Sequence, residues 1–204
     1  MRTVSKQAAG RSGAAGSRPL RGLAFETGHF EPLWLPSFLS REECAGVTAA
    51  ADRLRFGEAE VVGGLDYARI GEVAWLRRAG GKRWLFERLE ALGRDYARAI
   101  GFRVDGISEP LQVVRYARGG HFDWHIDVGA GEERSRKLTI IVQLTSAHAY
   151  AGGELEFCNL VPSIYHRAMG SVLIFPSILG HKVNPITRGR RTALVAWVDG
   201  PSLR

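Results

Sequence analysis

At 204 residues the chain suits one domain of ordinary size. Its 45% hydrophobic and 24% charged residues are those of a soluble globular protein, and no apolar run approaches the ~18–20 residues needed to cross a bilayer. The formal charge of +7 suggests nucleic acid only until it is located: five Lys and Arg with no acid fall within residues 1–22, leaving 23 basic against 21 acidic residues elsewhere, so no basic groove is expected.

The first segment, residues 1–22, is rich in Gly, Ala, Ser and Arg without apolar period, and is expected to be a disordered basic tail. It has no apolar stretch for a secretory signal. An Arg- and Ser-rich, acid-free start also fits an organellar transit peptide, with a plain solvated tail as the preferred reading. Folded sequence is expected over residues 23–204. Ser40 followed three residues later by Glu43 is a capping box ahead of a helix. A second helix is expected over about Arg83–Ile100, where Leu85, Leu89, Leu92, Tyr96 and Ile100 recur at three- and four-residue spacing.

From Leu111 onward the texture changes. LQVVRYA, KLTIIVQL, GELEF, GSVLIFP, HKVNPI and TALVAWV are short β-branched and aromatic runs separated by Gly, Pro and Asn. Strands at this spacing without intervening helices argue for an antiparallel barrel or jelly roll. The expected class is therefore α+β, mainly β: a jelly-roll core over residues 106–204 on an N-terminal helical support over residues 23–105. No internal repeat is visible. Cys44 and Cys158 match no zinc or redox spacing, which fits a reducing, cytoplasmic setting.

The chemistry concentrates in HFDWHID, residues 121–127, from which two His-x-Asp pairs can be cut: His121/Asp123 and His125/Asp127. On a strand, residues i and i+2 share a face, so either pair could reach one ion. Strict alternation would place all four side chains on one face. Two His and one carboxylate form the facial triad of non-haem Fe(II) oxygenases, and a third ligand is then required. His29 lies ahead of the barrel, His148 sits in a turn-like stretch and His166 in IYHRA. His181 follows GSVLIFPSILG and can open a strand facing into the barrel. Arg191, ten residues on, begins an apolar run, where a cation needs a partner and a bidentate carboxylate would suit.

From about Leu65 to its end the chain resembles the prolyl 4-hydroxylase-type branch of Fe(II)/2-oxoglutarate dioxygenases, especially the PKHD-type hydroxylases. EVAWL, LQVVRYARGGHFDWHID, RKLTIIVQL, AGGELEF, GSVLIFPSILGHKVNPITRGRRTALVAWV and GPSLR carry the resemblance, in that family's order and spacing. In the family an aromatic residue directly precedes the ligand His, as Trp124 precedes His125. The resemblance thus implies His125, Asp127 and His181 as catalytic metal ligands, and leaves His121 and Asp123 without ligation. It further implies that Arg191 holds the 5-carboxylate of 2-oxoglutarate while Tyr116 and Thr139 line the same pocket. Arg188 would face away from Arg191. Gln143 stands where many prolyl hydroxylases have tyrosine, which argues against assuming prolyl specificity.

The implied cofactors are Fe(II), 2-oxoglutarate and O2, with ascorbate as a reductant. The implied reaction hydroxylates an unactivated C–H bond of an amino acid, a peptidyl residue or a small metabolite, releasing succinate and CO2. Retention of Asp127 favours hydroxylation over halogenation. The near-neutral body argues against a nucleic-acid dealkylase, and the complete residue set against a non-catalytic metal-binding jelly roll. Specificity is expected in the loops EVVGGLDYARIGE, DVGAGEERSR and SAHAYAGG.

Overall fold

A computed structural model describes residues 32–59, 68–129, 131–158 and 167–201. The expected tail, residues 1–22, and His29 and His166 lie outside the described residues. In chain order the elements are β1 (Leu33–Leu35), α1 (Arg41–Ala51), β2 (Gly57–Glu58), β3 (Arg69–Ile70), β4 (Glu72–Leu76), α2 (Arg83–Ile100), β5 (Leu111–Tyr116) and β6 (His121–His125). There follow β7 (Arg136–Gln143), β8 (Tyr150–Gly152), β9 (Leu155–Phe157), β10 (Val172–Pro176), β11 (His181–Val183), β12 (Ile186–Gly189) and β13 (Arg191–Asp199).

The strands pair antiparallel throughout. A seven-stranded sheet runs β1-β10-β7-β13-β5-β4-β2, a four-stranded sheet β3-β6-β11-β9, and β12 pairs with β8. This is a jelly roll, mainly β, with the two α-helices of the described residues packed on one side.

Both helices form where the sequence predicts. Ser40 caps α1 by accepting from the Glu43 N–H, while the Glu43 carboxylate accepts from the Ser40 N–H, the reciprocal box. Helix α2 turns Leu85, Leu89, Leu92 and Tyr96 inward and ends at Gly101, whose φ of 75° is a left-handed cap. Its Gly93 lies against Val198: a Cβ there would stand 2.8 Å from the valine methyl, so the bare backbone sets how closely helix and sheet approach.

The large sheet is buried on both faces because its strands alternate apolar with apolar. Leu111, Val113, Leu138, Ile140, Val142, Leu194, Ala196 and Val198 face the helices. Val114, Tyr116, Ile141, Leu173, Phe175 and Ala193 face the small sheet, with Phe157 and Val183. Each such fully buried Leu, Ile or Val contributes roughly 1.5–3 kcal/mol.

The N-terminal half is more than a helical support. Four of its segments are strands, and β1 and β4 extend the large sheet while β3 edges the small one. The short runs Leu33–Leu35 and Glu72–Leu76 are too brief to show a period alone, and pairing with long neighbours fixes them as strands. Among the described residues no helix is long and apolar enough to cross a membrane.

Candidate active site

The period-2 alternation that buries the outer face of the large sheet delivers polar groups to the inner one. Gln112 and Tyr116 on β5, Thr139 and Gln143 on β7, and Arg191 and Trp197 on β13 all sit one residue out of step with the helix-facing set. Between this face and the small sheet lies a cavity of about 440 Å³, within the usual range for small-molecule sites.

His125, Asp127 and His181 meet at one wall of it. His125 ends β6, His181 opens β11, and the two are direct register partners. Their metal-binding atoms, with a carboxylate oxygen of Asp127, all lie within 4.8 Å of one another. His125 Nε2 stands 3.7 Å from Asp127 Oδ1 and His181 Nε2 3.7 Å from Asp127 Oδ2.

Both imidazoles are held from behind. Nδ1 of His125 lies 2.7 Å from the Asp123 carbonyl, and Nδ1 of His181 lies 2.9 Å from that of Leu179. A carbonyl only accepts, so each Nδ1 carries the proton and each Nε2 presents a lone pair to the shared point. The Phe122 ring stacks on His125 with centroids 3.5 Å apart.

Asp127 is anchored equally firmly. Its N–H donates to the Ser177 carbonyl, and its Oδ2 accepts from the Thr139 hydroxyl at 2.6 Å, which in turn lies 3.0 Å from Ser177 Oγ. Burial works to raise its pKa, but His181 and His125, then the Thr139 hydroxyl, outweigh it and hold the carboxyl below its usual range. Burial, with His181 beside it, pushes His125 down to about 4. At neutral pH His125 is therefore a neutral imidazole and Asp127 a carboxylate. Nitrogen and oxygen donors of this kind, on one side of an open cavity, fit a divalent first-row metal such as Fe(II).

Arg191 lies in the same cavity, 2% exposed, across β5 from its register partner Tyr116. Its Nε donates to Gln143 Oε1 at 3.2 Å, a neutral acceptor, and among the described residues no carboxylate pairs with the cation. Gly153 makes room for it: with φ at +69°, a Cβ there would stand 3.2 Å from Arg191 Cδ and 2.5 Å from Ile186 Cδ1. Arg136, also lining the cavity, is by contrast already neutralised by two 2.6 Å bonds to Glu109 and lies over the Trp197 ring.

Residues 111–199, from β5 to the end of β13, match the sequence model of the 2OG-Fe(II) oxygenase superfamily. Over its barrel strands the chain thus resembles that superfamily. It is 28% identical over 180 residues to a PKHD-type hydroxylase of Pseudomonas putida, a match covering 82% of this chain and 77% of the relative. A prolyl-4-hydroxylase structure from Pseudomonas putida shares the fold with a TM-score of 0.70 at 15% identity, covering 84% of this chain and 93% of the other. A viral collagen prolyl hydroxylase from Paramecium Bursaria Chlorella virus-1, in its 2OG complex, does so with a TM-score of 0.63 at 20% identity, covering 85% and 98%. The protein is thus an enzyme of the dioxygenase/hydroxylase kind, and the superfamily that its barrel strands match uses Fe(II), 2-oxoglutarate and O2.

The chain brings into one region the residues its sequence singled out. His125, Asp127, His181, Arg191 and Tyr116 line one cavity. Thr139 is buried beside it with its hydroxyl on Asp127, rather than at the cavity's open wall. The single-faced row expected of His121, Asp123, His125 and Asp127 does not form. Val183 pairs with Phe122 and His181 with His125, so three steps along β6 answer to two along β11. That bulge turns Phe122 and His125 to the cavity together, while Asp123 is exposed and His121 lies against β3. Arg188, on β12, faces outward with Nη2 donating to the His148 carbonyl, and His148 is exposed.

Sequence reasoning missed Ser177, Gln112 and Arg69. Ser177 and Gln112 carry no motif. Arg69 falls in the expected specificity segment EVVGGLDYARIGE, but only the pairing of β3 with β6 brings it to the cavity.

Proposed function

We propose that the protein is an Fe(II)- and 2-oxoglutarate-dependent hydroxylase in which His125, Asp127 and His181 hold the iron and Arg191 anchors the cosubstrate. The observation that carries this reading is a compact His-Asp-His group and a buried cation with no carboxylate partner among the described residues, opening on one cavity. When bound, iron and cosubstrate supply oxidative decarboxylation with O2, giving succinate and CO2 and inserting oxygen into an unactivated C–H bond.

The chain's residues bind, orient and enclose. Carbonyls of Asp123 and Leu179 fix the tautomer of each ligand histidine, and Thr139 with Ser177 fixes the carboxylate. We assign Thr139 this positioning role in place of the cosubstrate contact. Arg191, turned by Gln143, is available to a carboxylate through its guanidinium, and Tyr116 flanks it. Walls of Val114, Ile141, Leu155 and Val195 keep that end of the cavity apolar. The substrate is an amino acid, a peptidyl residue or a small metabolite. Two free thiols, Cys44 and Cys158, support a cytoplasmic setting.

The test is an anaerobic titration with Fe(II) and then 2-oxoglutarate. A visible charge-transfer band is expected in the wild type and absent in Asp127→Ala, accompanied in air by slow release of succinate. Iron binding without the band would remove the cosubstrate assignment.

A further inference from the structure

The cavity holds a second cation that the cosubstrate leaves unanswered. Arg69, on β3, approaches from the small sheet, the side opposite Arg191. Its Nη2 donates to Gln112 Oε1 at 2.7 Å, and its Nε is buried with no hydrogen-bond partner among the described residues. Among the described residues no carboxylate forms an ion pair with it. Its guanidinium lies 4.6 Å from the centre of the Phe122 ring, the ring that stacks on His125. A guanidinium placed beside a metal site with one N–H buried and unmet is costly to keep, and that cost is removed when an anion arrives.

The geometry around it specifies the anion. Nε–H and an Nη–H on one edge of a guanidinium match the two oxygens of a carboxylate. Gln112 is 5% exposed and lines the cavity, and because Oε1 is taken by Arg69 its amide N–H groups are left as donors. Trp75, Phe122 and Trp197 supply apolar walls for the rest of the molecule. The third cation, Arg136, is spent on Glu109.

We propose that Arg69 and Gln112 form a carboxylate seat for the primary substrate. The molecule hydroxylated is then a small carboxylic acid, free amino acids included, rather than an internal residue of a peptide chain. This rests on the Fe(II)/2-oxoglutarate reading, with Arg191 serving the cosubstrate's distal carboxylate and Arg69 serving the substrate's own.

The test uses the full chain loaded with Mn(II) and 2-oxoglutarate, which does not turn over. Free L-amino acids and short monocarboxylic acids are each titrated by calorimetry beside the matching carboxamide. At least one acid is expected to bind about tenfold tighter than its amide in the wild type, as a lost charge-assisted pair implies. In Arg69→Gln that preference should vanish while affinity for 2-oxoglutarate stays unchanged. If Arg69→Gln does not fold, Arg69→Lys, which keeps charge but not the Nε–H, must weaken the preference and hold the cosubstrate. The proposal is overturned if no acid beats its amide, if the preference survives in the variant, or if 2-oxoglutarate affinity falls with it, since the seat would then serve the cosubstrate. A wild type that fails to bind 2-oxoglutarate takes down the underlying reading as well. One that binds it without preferring acids takes down only the seat.

Discussion

His125 and His181 face one another as register partners across β6 and β11, their ring centroids 4.2 Å apart, each imidazole held by a carbonyl two residues from its own position. The pairing of two short strands thus assembles the two nitrogen ligands. Asp127, two residues past His125, is tied by its N–H to Ser177, in the turn before His181.

The first prediction separates the two His-x-Asp pairs. His125→Ala or His181→Ala should abolish iron-dependent succinate release, since each removes one of three ligands. His121 is no cavity residue; its Nδ1 lies 2.9 Å from the Gly119 carbonyl. His121→Ala should therefore leave Fe(II) binding largely intact. Loss of iron in His121→Ala to the same degree as in His125→Ala would show that the wrong pair had been chosen.

The second concerns Thr139. Val replaces Thr with nearly the same volume and removes the donor to Asp127 Oδ2. Groups that orient a metal ligand typically contribute about 10–100-fold in metal affinity or activity, and Thr139→Val should fall in that range. Affinity for 2-oxoglutarate, measured at saturating metal, should move far less. The reverse pattern would restore Thr139 to the cosubstrate pocket.

These residues show where sequence is legible and where it is not. Both helices were readable because their signals are local: the Ser40–Glu43 box and the Leu85-to-Ile100 stripe each need only their own segment. The triad was readable only through resemblance, because alternation cannot choose between two overlapping pairs, and the bulge that decides in β6 depends on its partner strand. Strands β1 to β4 escaped because two to five residues carry no period. Arg69 and Gln112 escaped because their meaning lies in a contact between residues 43 positions apart.

A third prediction tests the deep end of the cavity. Arg191→Gln removes a charge-assisted pair worth about 1.5–3 kcal/mol, so the Kd for 2-oxoglutarate should rise about 10–100-fold with iron binding retained. Gly153→Ala, with φ at +69° and Cβ against Ile186 and Arg191, should lower stability by about 1–3 kcal/mol and also weaken 2-oxoglutarate. A Gly153→Ala protein that binds 2-oxoglutarate normally would show that Arg191 is not held in place by that close approach.

The fourth is a pH dependence of the metal-free protein. Burial, and then His181, hold His125 at about 4 in the fold, against an ordinary value of 6.5. Between those two pH values the unfolded chain binds a proton at this position that the folded chain refuses, so stability rises with pH across the window. It is undiminished above 6.5 and lost progressively toward 4. Glu43 and Glu90 sit below the usual carboxylate value of 4.5 despite the upward push of burial, Glu43 through the Arg88 side chain and Glu90 through Arg78, so their contributions are lost only at more acid pH. Denaturant titrations of EDTA-treated protein from pH 7 to 5 should therefore show a falling midpoint that is flatter in His125→Gln. Equal slopes in the two proteins would mean that His125 is protonated as readily in the fold as in water, and that the site is wetter than its packing against Phe122 and His181 implies.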